Sequence, residues 1–317
     1  MRKTLCFGGC HVDRIAHAGG PVVPGSSNPV VITRSFGGVA RNVADSLTRL
    51  GADCSLVSRV GADADGDAVT GHLEKLGVDT AAISRSRTLP TASYHGLLTL
   101  DGDLFVGFAD MAIYDEIDAA AIDAGLQSAG AAGAVGPTEA ANIWFVDGNL
   151  PAAALKHLVK LKPADVLVAA DAVSVAKSQR IQQHLDAVDI LFTNSDEAEA
   201  MTGLVQTQED FAAAACRQLC SMGAGAVVLT LGPEGVSVMQ ADRLEHQAAL
   251  PVSICNPTGA GDALIAGTLA GLRQGMEVFD STRLGQACAA IALECEASVA
   301  EALTMQAAMA RSRLRQG

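Results

Sequence analysis

The most informative stretch of the chain is the octapeptide Asn256-Pro257-Thr258-Gly259-Ala260-Gly261-Asp262-Ala263. The apolar, small-residue run at 264–272 follows it and predicts a buried helix. A glycine-rich turn before a helix leaves backbone N–H groups unpaired, and these groups bind anions together with the helix dipole. A carboxylate beside a phosphate is electrostatically unfavourable, so its presence there indicates a function. Asp262 is therefore a candidate general base that deprotonates a hydroxyl group. The alternative is a glycine-rich turn that an aspartate caps.

The composition of the chain restricts its class. It has 317 residues, of which 49% are hydrophobic, enough for one large α/β domain with a sizeable core. The sequence has no interdomain linker, and we expect residues 1–317 to form a single domain. A formal net charge of -13 argues against nucleic acid or an anionic membrane as the main partner. It does not argue against a phosphate ligand, which needs only local backbone donors.

The cysteines and the apolar runs indicate a cellular location. Eight cysteines lie mostly in apolar runs, where cysteine behaves as a small buried hydrophobe. No CxxC pair is present, so we expect no zinc site. No apolar run reaches the length of a membrane span, and the N-terminus does not resemble a signal peptide. We therefore expect a cytoplasmic protein with reduced thiols.

Short apolar runs alternate with helix-like stretches in the second half of the chain. The runs are 143–146, 166–169, 188–192 and 226–230. This alternation predicts a parallel, doubly wound sheet. The Ala/Gly-rich residues 127–142 predict a loop or a poorly ordered helix.

Three of these predicted strands end in polar residues, at 147–149, 194–197 and 230–235. Several such turns at carboxyl ends of strands favour one composite site. Asn194 and Glu197 lie one turn apart on a starting helix and could hold a hydrated Mg²⁺ near phosphates. The alternative for this pair is a helix capping box.

Another glycine pair precedes a predicted helix, in the stretch Ser35-Phe36-Gly37-Gly38-Val39-Ala40-Arg41-Asn42. The glycines let the backbone approach a ligand, and Asn42 lies one turn into the helix on a side that can face them. Asp13 follows the first predicted strand at its carboxyl end, where its carboxylate could bind sugar hydroxyls. The alternatives are helix packing through small residues and an ordinary loop aspartate. The pattern is not a GxGxxG dinucleotide fingerprint.

Strand-like segments near 14–36 and 91–108 predict a small sheet outside the main α/β body. Asp101-Gly102 is a two-residue hairpin signal between the second pair of strands. Aromatic residues make up only 3% of the chain, yet Tyr94, Phe105, Phe108 and Tyr114 cluster in or beside this segment. Such a sheet could be a lid that excludes water from a site, or a dimer surface.

The chain resembles the ribokinase (PfkB) family of carbohydrate and nucleoside kinases over nearly its full length. Residues 37–44, with Gly51 and Gly61 at the expected spacing, match the first family signature, and residues 256–262 match the second. Two signatures in the right order are a specific signal. The resemblance implies a three-layer α/β/α sandwich with a central, mostly parallel sheet. It also implies a small β-sheet lid from about residues 12–36 and 90–112.

The resemblance further implies a role for each candidate residue. Asp262 would be the catalytic base, and Gly259, Ala260 and Gly261 would form the anion hole for the transferred phosphoryl group. The substrate-binding positions would be Asp13, Gly37, Gly38, Asn42 and Asn149. The nucleotide-binding positions would be Asn194, Thr230, Gly232 and Gly235, with ATP as co-substrate. Glu197 and Asn194 would hold Mg²⁺ through water.

Within the family, several segments are similar to pseudouridine kinases. They lie at 91–94, 101–104, 109–114, 147–151 and 171–177. We therefore expect ATP-dependent phosphorylation of the 5′-hydroxyl of pseudouridine. The alternative is the same chemistry on ribose, adenosine or inosine, or a ketose. A catalytically silent sugar-binding regulator fits less well, because Asp262 and the Gly-Ala-Gly turn are both present.

One position departs from the family pattern. Many members have Asp where Asn256 stands, and that Asp helps to bind a monovalent cation. Asn256 and Thr258 are the candidate ligands here, and K⁺ is an expected cofactor only if the uncharged amide can replace the carboxylate. We expect small molecules and a second copy of the chain, bound through the lid, as partners.

Overall fold

The computed structural model describes residues 3–129 and 143–313. Its strands are β1 (Thr4–Phe7), β2 (His11–Ala18), β3 (Val30–Gly37), β4 (Cys54–Gly61), β5 (Ile83–Ser86), β6 (Ser93–Leu98), β7 (Leu104–Asp110), β8 (Ile143–Asp147), β9 (Leu167–Asp171), β10 (Ile190–Asn194), β11 (Ala226–Thr230), β12 (Val236–Gln240) and β13 (Arg243–Gln247). Its α-helices are α1 (Val39–Arg49), α2 (Ala64–Leu76), α3 (Ala119–Ser128), α4 (Ala152–Leu161), α5 (Val175–Gln182), α6 (Ser195–Thr202), α7 (Phe211–Ser221), α8 (Ala260–Arg273), α9 (Val278–Leu293) and α10 (Met305–Arg313). Short 3₁₀ turns occupy Ala112–Glu116, Leu185–Ala187 and Gly232–Glu234. Most of the segment predicted as a loop at 127–142 lies outside the described residues.

A nine-stranded sheet forms the centre of the molecule, with the order β13-β12-β11-β10-β9-β8-β1-β4-β5. The pairs from β11 to β5 are parallel, and β12 and β13 add an antiparallel edge. The predicted mostly parallel sheet is therefore confirmed. Parallel strands point their carboxyl ends toward one edge, so the polar turns that follow β8, β9, β10 and β11 are brought together.

Alternating residues of the buried strands pack on opposite faces of this sheet. In β1, Cys6 joins one apolar cluster, and Leu5 and Phe7 join the other. The first cluster includes residues of α1, α2, α8, α9 and α10, and the second includes residues of α3 to α7. This period of two places helices on both sides of the sheet. The predicted three-layer α/β/α sandwich is confirmed.

A separate four-stranded sheet has the order β3-β2-β6-β7. Its strands come from the two segments that the sequence predicts for it. The hairpin between β6 and β7 has a three-residue loop at 100–102 between the paired Thr99 and Asp103, so the predicted two-residue turn is wrong. Gly102 adopts φ +88°, and this conformation is typical of the last residue of a three-residue hairpin loop.

The two edge strands of the small sheet carry exposed apolar side chains. On β3, Val31 and Ile32 are 70% and 62% exposed, and on β7, Phe105 and Phe108 are 48% and 58% exposed. Apolar edge strands of this kind are surfaces that proteins usually cover. Among the described residues, no helix is long and apolar enough to cross a bilayer.

Candidate active site

The N-terminus of α8 has the geometry that its glycines predict. Gly259 is the residue before the helix and adopts the left-handed conformation at φ +85°. A Cβ atom at this position would overlap the carbonyl oxygen of Ser298, so the turn requires glycine. Within the described chain, the backbone N–H groups of Gly261 and Asp262 have no hydrogen-bond partner. The turn therefore offers free donors at the positive end of a helix.

Asp262 connects the two glycine-containing motifs. It lies in the first turn of α8, and its Oδ2 accepts a hydrogen bond of 2.7 Å from Nδ2 of Asn42 on α1. The two helices pack directly against each other, which places this contact at their N-terminal ends. Residues 220 positions apart in the sequence thus share one site.

The protonation of Asp262 is set by competing neighbours. Burial raises the pKa of its carboxyl group to about 6, and the negative charge of Asp147 acts in the same direction. The hydrogen bond from Asn42 and the charges of Arg41 and His11 lower this pKa. A carboxylate with a pKa near 6 remains mostly ionised at neutral pH and accepts protons better than an ordinary aspartate.

An open cleft lies beside α8, at the carboxyl edge of the main sheet. Polar residues of its lining come from the ends of neighbouring strands and from the α8 turn: Asp171, Asn194, Glu197, Thr230, Gly261 and Asp262. The structure therefore brings together predicted residues from three separate turns. Gly232 and Gly235 do not line the cleft themselves but shape the turn directly after Thr230, where the Leu231 N–H donates to the Gly235 carbonyl.

Asn194 and Glu197 form the capping box that the sequence offered as the alternative to a metal role. The Glu197 N–H donates to Asn194 Oδ1 at 2.9 Å, and the Asn194 N–H donates to Glu197 Oε2 at 3.0 Å. Burial raises the pKa of Glu197 above its ordinary value. Oε1 takes no part in the capping box. A carboxylate oxygen therefore remains available at the cleft, and the pair fits a hydrated Mg²⁺ held through water.

Asp13 is not among the residues that line this cleft. It is part of β2 in the small sheet, within the segment predicted for the lid and beyond the carboxyl end of β1. His11 Nε2 lies 3.1 Å from Asp13 Oδ1. A Cβ atom at Gly37 would overlap Asp13 Oδ2, so the glycine leaves this carboxylate uncovered.

Asp147 holds the two turns beside Asp13 together. It is fully buried at the end of β8, and its Oδ2 accepts hydrogen bonds from the N–H groups of Gly9 and Ala40, both at 2.9 Å. Gly38 packs closely against Gly9 in this arrangement, because a Cβ at position 38 would overlap the Gly9 carbonyl. Its φ of +104° also favours glycine. Asn149 follows on the next turn, and its Oδ1 accepts from Lys177 Nζ at 2.5 Å.

The side-chain amide of Asn256 is engaged at both ends. The Asn256 Oδ1 accepts from the Thr258 N–H at 2.9 Å, and its Nδ2 donates to the Glu296 carbonyl at 2.7 Å. The N–H of Thr258 fixes which end of the amide is oxygen, so Nδ2 must face the carbonyl. Both ends of the Asn256 amide therefore already contact groups of the protein itself.

Sequence reasoning missed three charged residues around the site. Asp171 ends a parallel strand, as Asp147 does, and that position was the signal that could have identified it. The pKa of Asp171 is well above its usual value, because of burial first and then the charges of Glu197, Asp262 and Asp147. For Arg41 and Lys177, a single sequence contains no signal that distinguishes them from surface residues.

Comparisons with known proteins agree with this architecture. The sequence profile of the pfkB family carbohydrate kinases matches residues 1–304. The pseudouridine kinase of Escherichia coli (strain K12) is 28% identical, over 92% of this chain and 91% of that protein. A carbohydrate kinase structure from Agrobacterium tumefaciens has a TM-score of 0.83 at 29% identity, covering 99% of this chain and 98% of the other. Arabidopsis thaliana ribokinase complexed with ribose and ATP has a TM-score of 0.82 at 18% identity, covering 98% of both chains.

The fold and the cleft define a ribokinase-like α/β enzyme. The chain belongs to the pfkB family of carbohydrate kinases. It is a phosphotransferase that acts on a hydroxyl group of a sugar or nucleoside. The family resemblance drawn from the two glycine-containing signatures is confirmed.

Proposed function

We propose that the protein transfers a phosphoryl group from ATP to the 5′-hydroxyl of pseudouridine, with Asp262 as the general base. The observation that carries the chemistry is the position of Asp262. Asp262 belongs to the α8 turn that has free N–H groups, and its carboxylate accepts a hydrogen bond from Asn42, the residue proposed to bind the acceptor. The similarity to pseudouridine kinase supports the acceptor.

In this proposal, the acceptor lies among Asp13, Gly37, Gly38, Asn42 and Asn149. Asp13 accepts hydrogen bonds from the sugar hydroxyls, and the glycines let the acceptor approach the backbone. Asp262 then removes the proton of the attacking hydroxyl as the hydroxyl oxygen bonds to the γ-phosphorus. The bond from the γ-phosphorus to the β,γ-bridging oxygen breaks in the same step, and ADP leaves. Positioning and charge stabilisation account for most of the rate of phosphoryl transfer, so these contacts contribute directly to it.

The nucleotide occupies the cleft on the other side of Asp262. Asn194 and Thr230 lie along its wall, and Gly232 and Gly235 shape the turn beside it. The turn formed by Gly259, Ala260 and Gly261 is the proposed anion hole. Its free N–H groups, those of Gly261 and Asp262, stabilise the charge on the transferred phosphoryl oxygens, whereas the Ala260 N–H already contacts the Pro257 carbonyl at 3.5 Å. Glu197, with Asn194, would hold Mg²⁺ through water, and this ion neutralises phosphate charge when it is bound. A cytoplasmic location, where ATP is available, belongs to the same proposal.

An acceptor panel tests the proposed substrate. We expect kcat/KM with ATP and Mg²⁺ to be at least about 10-fold higher for pseudouridine than for uridine, ribose, adenosine, inosine or fructose, a difference of about 1.4 kcal/mol in transition-state binding. A coupled assay that follows ADP release measures each acceptor under the same conditions. Equal or faster turnover of any other member of the panel would identify that compound class as the acceptor instead.

Monovalent cations should have little effect, because the Asn256 amide already contacts the Glu296 carbonyl. We expect kcat to change by no more than about twofold when K⁺ replaces a bulky organic cation at constant ionic strength. Asn256→Asp removes the N–H donor and places a carboxylate beside that carbonyl, so this variant should become K⁺-stimulated. Strong K⁺ dependence of the wild type would contradict this account of Asn256.

We also propose that the whole chain acts as one domain, with the small sheet as its lid, and that two copies pair through that sheet. Its edge strands carry apolar residues in a protein with few aromatics, and pairing would cover them. Ile32→Glu together with Phe105→Glu should convert a dimer to a monomer in sedimentation experiments. Leu244→Glu, on the edge strand β13 of the main sheet, is the matched control. It should leave the sedimentation mass of the dimer unchanged. A wild-type monomer at micromolar concentration would refute the pairing.

A further inference from the structure

We propose that Arg41 is a positioning residue: its guanidinium fixes the orientation of the Asn42 side-chain amide, and this amide in turn holds Asp262 as a proton acceptor. The inference rests on the proposed role of Asp262 as the base. It concerns a residue next to Asn42 that is absent from the predicted site.

The orientation of the Asn42 amide determines whether its contact with Asp262 is attractive. In the structure, Nδ2 donates to Asp262 Oδ2 at 2.7 Å. If the amide turned over, Oδ1 would face the carboxylate, and two oxygens at this distance repel each other. The reversed amide would be compatible only with a protonated Asp262, which could then donate to it. The direction of the amide is thus coupled to the ionisation of the base.

Arg41 selects the productive direction. Its Nη1 donates to Asn42 Oδ1 at 2.8 Å. A guanidinium group has only donors, so the amide must present its oxygen to Arg41 and its NH₂ group to Asp262. The same Nη1 also lies 3.3 Å from the Phe36 carbonyl, which limits the movement of the guanidinium.

A second carboxylate holds Arg41 in place. Nη2 of Arg41 donates to Asp45 Oδ2 at 2.7 Å, one turn further along α1, and Arg49 Nε donates to Asp45 Oδ1 at 2.6 Å. Arg41 and Asp45 are 3% and 1% exposed. His72 Nε2 lies 3.5 Å from Asp45 Oδ2 at the edge of this cluster. The buried ion pair makes the guanidinium a fixed donor rather than a mobile one.

Stability alone does not account for this arrangement. Among the described residues, the buried Nε–H of Arg41 has no hydrogen-bond partner. An unsatisfied buried donor costs about 1–3 kcal/mol, and an apolar pair in place of a buried ion pair is often at least as stable. The cluster instead delivers one oriented amide to Asp262, which is a functional reason for an arginine at this position.

The charges that face Asp262 predict the effect of removing Arg41. These groups are Arg41 and Asn42 on α1, His11 on β2, Asp147 at the end of β8 and Asp171 at the end of β9. Arg41 and Asn42 both lower the pKa of Asp262, whereas Asp147 raises it. Without Arg41, the amide is free to turn over and a positive charge is lost. Both changes favour the protonated carboxyl group, so more of the enzyme is inactive at a given pH.

The test is the pH profile of kcat/KM for Arg41→Met, with Arg41→Lys and Arg49→Met beside it. We expect the acid limb of the kcat/KM profile of Arg41→Met to shift to higher pH by at least about 0.5 pH unit. Much of the lost activity should be recovered near pH 9. Arg41→Lys keeps the charge but offers one ammonium group, so it should shift the limb less and in the same direction. Arg49→Met removes a charge from Asp45 without touching Asn42 and should leave the limb in place.

A uniform loss of activity at every pH, with the acid limb unmoved in both Arg41 variants, would overturn the proposal. If Arg41→Met does not fold, the acid limb of Arg41→Lys alone tests the proposal. Titration of the Asp262 carboxyl carbon by NMR, assigned from its absence in Asp262→Asn, is the second measurement. It should follow the same shift without any turnover. If Asp262 is not the base, the activity profiles lose their meaning, whereas this titration still tests whether Arg41 orients the amide.

Discussion

Asp262→Asn should lower kcat by about 10³-fold or more, with KM for the acceptor changed far less. An amide at position 262 cannot take the proton of the attacking hydroxyl, so the main loss falls on the chemical step. The substitution keeps the shape of the side chain, and the new Oδ1 can still accept from Asn42. Helix α8 is therefore expected to keep its position. Steady-state kinetics with the proposed acceptor, together with thermal unfolding, measure the two effects separately.

Asp171→Asn is the matched control for this variant. Asp171 lines the same cleft, but burial and its acidic neighbours raise its pKa well above the ordinary value. The raised pKa favours the protonated carboxyl group, which an amide resembles, so we expect a loss of less than about 10-fold. Near-normal activity of Asp262→Asn, or an equal loss in both variants, would place the base elsewhere.

The pH dependence of the wild type follows from the same carboxyl group. Its pKa of about 6 means that kcat/KM should be level near neutral pH and should fall as the pH drops below that value. The sign is fixed because the protonated form cannot accept the hydroxyl proton. In Asp262→Asn, the residual kcat/KM should not show this fall at low pH.

Gly259→Ala should have the second largest effect, on both stability and activity. The backbone at this position has φ +85°, and the new Cβ would overlap the Ser298 carbonyl oxygen. Left-handed strain and the overlap together should lower the free energy of unfolding by about 2–4 kcal/mol. Displacement of the N–H groups from the transferred phosphoryl group should lower kcat by about 10²-fold. Chemical denaturation and steady-state kinetics test the two effects.

Gly261→Ala separates the special conformation from the loss of a glycine in itself. A Cβ at position 261 meets no atom within 4 Å, and its φ is not positive. This variant should unfold within about 0.5 kcal/mol of the wild type. If Gly259→Ala were equally stable, the turn would not depend on its left-handed residue.

The sequence predicted the layers of the fold because they follow from local patterns. Short apolar runs such as 226–230, separated by helix-like stretches, define parallel strands, and those strands are present. Asp262 and the capping pair Asn194 and Glu197 could be found because they follow glycines or strand ends. Asp13 lies after the first strand as predicted, in β2, which is separated from β1 by only three residues.

Contacts between distant elements could not be predicted in the same way. Nothing near Asn42 in the sequence indicates that its amide meets Asp262, since the contact depends on the packing of α1 on α8. The buried pair of Arg41 and Asp45 has the i,i+4 spacing of an ordinary surface pair. The two hydrogen bonds of Asn256 depend on where the chain returns at Glu296, and these bonds argue against a cation ligand.

A competition between pseudouridine and uridine tests the central claim most directly. Both nucleosides, at equal concentration, are incubated with the enzyme, ATP and Mg²⁺, and the products are separated and identified by phosphorus and proton NMR. The account predicts that pseudouridine 5′-phosphate forms in large excess and that Asp262→Asn forms almost none. Phosphorylation of uridine at a comparable rate, or at a hydroxyl other than the 5′ position, would contradict it.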